Sequence, residues 1–227
     1  MLKGKTSNMS EELQENVVKE SSIVYGKTPE SPVIYINPFE DWVFKRIFAS
    51  ESSKEVAKAF LNVVLEGKRY IESITYGKNE YPGEIRDEGN SVFDFICKDK
   101  DGVTFLVEVQ RQEQKNFKER SLFYTSRLIS DQSPKGYKEW RYNLKEIYSI
   151  SLLENFSLPE TKPGKYLHNV SLCDTDTGSV FYNKLHFTYI EVAKFNKKEH
   201  ELKTLLDEWL YAFFSSGEIC QLNTRGT

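Results

Sequence analysis

The sequence predicts an α/β fold, a mixed central β-sheet flanked by helices, and three observations carry that expectation. The element types read off the chain run α, α, β, β, β, α, β, β, β, α without an internal repeat, an order that puts helices on the faces of a sheet. Ile147-Tyr-Ser-Ile-Ser-Leu-Leu153 is a near-continuous strand, the pattern of a central position in the sheet. The stretch Glu199 to Phe214 carries Leu202, Leu205, Leu206, Trp209, Leu210 and Phe213 at helical spacing, the apolar stripe of a helix that lies on a core.

Taken in order, residues 1–32 are polar and end in Pro29 and Pro32, so they are expected to form a flexible lead-in with a short helix from Ser10 to Lys19. Residues 33–214 then form the folded domain. Asn37-Pro38 predicts a helix start, since Asn caps well, Pro is tolerated in the first turn, and Glu40 and Asp41 suit the positive helix end. A second helix is predicted from Ser52 or Ser53 through Val56, Phe60, Val63 and Val64 to Gly67. Tyr70 to Tyr76 reads as a strand, Asn79 to Asn90 as a loop, and Glu113 to Ser130 as a long helix. His168 to Leu172 and Val180 to Val192 are strands joined around Asp176-Thr177-Gly178. Residues 215–227 lack apolar periodicity and are expected to be an irregular, truncated tail.

Between the early strand and the long helix lies a hairpin with chemical content. Val92-Phe-Asp94-Phe-Ile96 and Val107-Glu108-Val109-Gln110 flank a Lys100-Asp101-Gly102 turn, and Gly102 suits the left-handed position that closes a three-residue loop. Centring the turn on Asp101 sets Asp94 opposite Glu108, on one face, with Gln110 on that face as well. Acidic residues also occur on the solvent face of ordinary hairpins. Here Phe93, Phe95, Val107 and Val109 on one side, and Val92, Ile96 and Leu106 on the other, predict that both faces are covered. Covered carboxylates need a partner, and a hard divalent cation with oxygen ligands, Mg²⁺ or Mn²⁺, is the candidate.

Composition narrows the class. With 39% hydrophobic and 14% aromatic residues in 227, the chain can bury one good core. No apolar run is long enough for a membrane span, and the polar opening lacks the apolar core of a signal peptide, so a cytoplasmic protein without a membrane partner is expected. Cys97, Cys173 and Cys220 stand far apart, which argues against disulfides and zinc clusters. His168, His186 and His200 show no metal-binding spacing, and there is no P-loop, GxGxxG or GxSxG. A net charge of −3 does not announce a nucleic-acid binder, yet from Arg111 to Arg127 five positives face only Glu113 and Glu119.

An acidic hairpin followed by a basic helix, in this element order, resembles the PD-(D/E)XK nuclease superfamily and its restriction-endonuclease-like core. Within it the chain is similar to the Rpn, or recombination-promoting nuclease, family of transposase-like proteins. The resemblance rests on Asp41-Trp-Val-Phe-Lys45-Arg-Ile-Phe48, Phe60-Leu61-Asn62-Val-Val-Leu65, Phe93-Asp94, Glu108-Val109-Gln110, and Arg120-Ser121-Leu-Phe-Tyr124-Thr-Ser126-Arg127. It continues in Gln132 before Lys135-Gly136, in Tyr148 to Leu153, and in His186-Phe-Thr-Tyr-Ile-Glu191 with Lys194-Phe195.

That resemblance implies an Mg²⁺-dependent (or Mn²⁺-dependent) endonuclease acting on double-stranded DNA and linked to recombination or transposition. Asp94 and Glu108 would ligate the metal, with the Val109 carbonyl as a third oxygen, and Gln110 stands where most of the superfamily has Lys. Gln orients a water but carries no charge, so positive charge must come from elsewhere. Lys45 is one supplier, and Asp41, one turn before it, is placed to reach the metal or its water; a solvated i, i+4 ion pair is the other reading of these two. Arg120, Tyr124 and Arg127 share one helix face and suit phosphate contacts, or else packing against the sheet. Asp87-Glu88-Gly89-Asn90-Ser91 lacks the Lys that members often carry before the catalytic Asp. A homodimer is expected if both strands are cut in one visit. The alternative from another class is a catalytically inactive, truncated relic acting only as a DNA- or protein-binding module.

Overall fold

The structure, a computed structural model, describes residues 37–78, 80–81, 91–92, 94–134 and 141–213. The expected lead-in and its helix, segment 82–90, Phe93, Lys135-Gly136 and the tail 215–227 lie outside the described residues. Helices α1 (Asp41–Phe48) and α2 (Lys54–Val64) are joined by a 3₁₀ turn at Glu51–Ser53. α1 begins later than Asn37-Pro38 suggests. The Asn37 side chain accepts from the Phe39 N–H at 2.9 Å and its carbonyl accepts from Glu40, which closes a separate turn ahead of the helix.

The sheet strands are β1 (Ile74–Tyr76), β4 (Phe95–Asp99), β5 (Thr104–Gln110), β6 (Ile147–Leu153), β7 (Leu167–Cys173) and β8 (Val180–Glu191). Among the described residues they form one mixed six-stranded sheet in the order β1-β4-β5-β6-β8-β7, while β2 (Glu80–Tyr81) and β3 (Ser91–Val92) pair only with each other. β5, β6 and β8 run parallel; the outer pairs are antiparallel. All seven residues of β6 are buried, as its composition predicts for a central strand. Helix α3 is Phe117–Ser130, and a last helix, α4, covers 205–213.

Strand alternation sorts the apolar residues onto two faces. Phe95, Phe105, Val107, Ile150 and Ile190 face α1, α2 and α4, where Phe44, Phe48, Phe60, Leu210 and Phe213 meet them. Ile96, Leu106, Phe187 and Tyr189 face Phe117 and Leu128 of α3. Each fully buried Phe contributes about 1.5–3 kcal/mol, which is how α1, too short to be stable alone at eight residues, is fixed in place.

Three further element boundaries differ from the sequence expectation, each for a local reason. Only Ile74–Tyr76 of the Tyr70 to Tyr76 run is strand, because the Asn62 side chain takes both the N–H and the carbonyl of Ile71. α3 starts at Phe117 instead of Glu113, since Asn116 sits in the left-handed region at φ 59°. Of the Glu199 to Phe214 run, the described residues form a 3₁₀ turn at Glu199–Glu201 followed by helix only from 205 to 213. Thr204 and Asp207 cap that start reciprocally: Thr204 Oγ accepts from Asp207 N–H, and the Asp207 carboxylate accepts from the Lys203 and Thr204 N–H groups.

Candidate active site

The β4–β5 hairpin has the expected register. Lys98 pairs with Thr104, which centres the turn on Asp101, and Gly102 closes it at φ 80°. The Asp99 side chain steadies the turn by accepting from the Asp101 and Val103 N–H groups at 2.9 and 3.0 Å. Phe95 pairs with Val107, so the register carries Asp94, one residue ahead of β4, to a place opposite Glu108. There the Val109 N–H donates to Asp94 Oδ2 at 2.5 Å.

Both carboxylates are pressed into a site that disfavours their charge. Burial raises Asp94 to about 6; the Val109 N–H and Lys45 pull it down, and Asp41, hydrogen-bonded to it, pushes it up. Glu108 is 9% exposed, and burial raises it to about 7, with Arg120 lowering it and Asp94 raising it further. Two facing acids whose charged forms are disfavoured by burial fit a hard divalent cation, because an ion between them neutralises both at once. Among the described residues no three His, Cys, Asp or Glu side chains gather into a metal cage. An ion held here would have two carboxylates as its side-chain donors, completed by backbone oxygen or water, a set that suits a cation such as Mg²⁺ that keeps several waters.

A cavity of about 480 Å³ opens here, lined by Asp94, Glu108, Gln110, Arg111, Arg120 and Asn155, among others. It lies off the C-terminal ends of β5 and β6, where parallel strands of open α/β sheets offer their ligand crevice. Arg120 reaches into it from α3, with Nη1 3.5 Å from Gln110 Oε1, and with Nη2 donating to the Tyr124 hydroxyl at 3.3 Å. Tyr124 thus stands behind Arg120, whose guanidinium lies over its ring. Arg127 lies over the Phe123 ring and does not line the cavity. Asp41 and Lys45 form the i, i+4 ion pair at 2.8 Å, and both still act on Asp94.

Sequence reasoning missed Arg111 and Glu154. Arg111 lines the cavity with its charge committed to two acids, Nε to Glu154 at 2.8 Å and Nη1 to Glu40. Its position directly after Gln110 was the available signal; Glu154, at the end of β6, becomes conspicuous only once the strand order is known. His168 bonds Glu191 and the Lys165 carbonyl, His186 stacks on Tyr148, Cys97 is buried and Cys173 is exposed. No helix among the described residues is long and apolar enough to cross a membrane.

The mixed sheet with helices on both faces is the restriction-endonuclease-like α/β fold. The chain belongs to the PD-(D/E)XK nuclease family transposases, whose family model matches residues 38–221. No curated protein and no solved structure matches it.

Proposed function

We propose that the chain is a divalent-metal-dependent DNA endonuclease of the Rpn branch, hydrolysing phosphodiester bonds of double-stranded DNA in recombination or transposition. The observation that carries this reading is the half-buried Asp94 facing the buried Glu108, beside the Arg120 and Lys45 cations. Asp94, Glu108 and the Val109 carbonyl would hold Mg²⁺ or Mn²⁺. Bound there, the ion supplies a water of lowered pKa and neutralises charge on the phosphate. Gln110 donates to the Gln112 carbonyl at 3.1 Å and faces Arg120, so its part is to orient water and guanidinium; it supplies no charge. The positive charge that the superfamily's usual Lys would bring comes from Arg120 on α3 and Lys45 on α1. Arg127 and Tyr124 extend the phosphate-facing side of α3, and Asp41 orders the water side of Asp94.

Plasmid nicking by purified protein, with and without Mg²⁺ or Mn²⁺, tests this beside Asp94→Ala and Glu108→Ala. Metal-dependent nicking lost in both variants is expected. Equal nicking by all three proteins refutes the site. Absence of nicking with salt-sensitive DNA binding retained supports a silent binding module instead.

A further inference from the structure

We propose that Glu154 is a positioning residue, the hub of a clasp that holds the first turn of α1 against the exit of β5 and so sets Asp41 and Lys45 beside Asp94; this rests on the nuclease reading. α1 has no side-chain N-cap of its own. Besides the burial of Phe39 and Phe44, polar contacts tie its leading end to the sheet: Glu154 Oε1 accepts from Asn37 Nδ2 at 2.8 Å, Oε2 accepts from Arg111 Nε at 2.8 Å, and Arg111 Nη1 pairs with Glu40. The Glu154 N–H also donates to the Gln110 carbonyl at 3.0 Å, so the hub is itself fixed to the strand that carries Glu108. The Glu154 side chain is 12% exposed, so its own charge-assisted bonds are better shielded from water than the outer Arg111–Glu40 pair, at 41% each. Asn37 and Glu40 flank the turn into Asp41, and Arg111 follows the last residue of β5 directly. One carboxylate thereby links the two elements whose acids must meet.

The experiment uses the full chain with Glu154→Ala, Glu154→Gln and Asn37→Ala, the last cutting one leg only. Hydrogen exchange of the amides at 41–48 is expected to quicken by about tenfold in Glu154→Ala, less in the other two. Nicking is measured in a double-mutant cycle with Asp41→Ala. If Glu154 acts through Asp41, the double variant cuts no more slowly than the slower single one. Rate losses that multiply, or unchanged exchange in α1, overturn the assignment. Should the wild type fail to nick, the nuclease reading fails by itself, and the exchange data alone decide the clasp.

Discussion

Replacing Glu108 by Gln should make the metal-free protein more stable while ending its activity, and the size of the gain should depend on pH. Glu108 ionises at 4.5 when free and at about 7 in the fold, because burial disfavours its charged form. The folded state therefore binds the proton more tightly than the unfolded one, and stability is lost as pH rises from the lower value to the higher. Linkage at 1.36 kcal/mol per tenfold puts the penalty at about 1 kcal/mol at pH 5 and about 3 kcal/mol at pH 8. Gln has nearly the same shape and no charge to bury, so the gain at pH 8 should raise Tm by several degrees, at about 2–4 °C per kcal/mol for a domain of this size. Thermal unfolding by circular dichroism in EDTA, at both pH values, reads it. A gain that is equal at pH 5 and pH 8, or a loss at pH 8, would refute the argument that charge burial dominates this position. Saturating Mg²⁺ should close the gap by stabilising the wild type alone.

Arg120→Gln removes the cation that lowers Glu108, so the onset of metal binding should move to higher pH, and nicking should fall about 10²-fold or more; titration with Mn²⁺ and plasmid nicking check the two parts. Adding Gln110→Lys to that variant returns a cation to the same contact, which lies 3.5 Å from the lost guanidinium, and should recover part of the rate. Asp207→Ala strips the N-terminus of α4 of its cap and removes the buried acid that Lys197, 31% exposed, pairs with, a loss of about 2–3 kcal/mol by urea unfolding. Lys197 and Tyr166 hold the Asp207 carboxyl well below the usual carboxylate range, so its contribution is present above pH 4 and should vanish as the pH falls further. Gly102→Ala meets no close atom but is forced to φ 80°, and should cost about 1–2 kcal/mol in the same assay.

The hairpin was legible because its determinants are local: loop length and a Gly with positive φ fix the register, and register fixes which acids face each other. β6 was legible because a strand covered on both sides reads as a continuous run. Strand order was not, since β5, β6 and β8 are brought together by contacts between distant segments that leave no periodicity in the chain. The clasp shows the same limit in the site. Glu154 meets Arg111 across 43 positions and Asn37 across 117, and no spacing rule reaches that far. The helix starts were misplaced where side chains decide the backbone, at the left-handed Asn116 and at the Thr204–Asp207 box, because an apolar stripe marks a face and not its first turn.

The rings of Trp209 and Phe213 on α4 close over Phe48 of α1 and Phe60 of α2. The ribosome delivers these two aromatics after every other described element, yet they cover the helix that brings Asp41 and Lys45 to the hairpin. A nascent chain thus carries Asp94 and Glu108 long before it contains the two rings that complete the packing around Phe48 and Phe60.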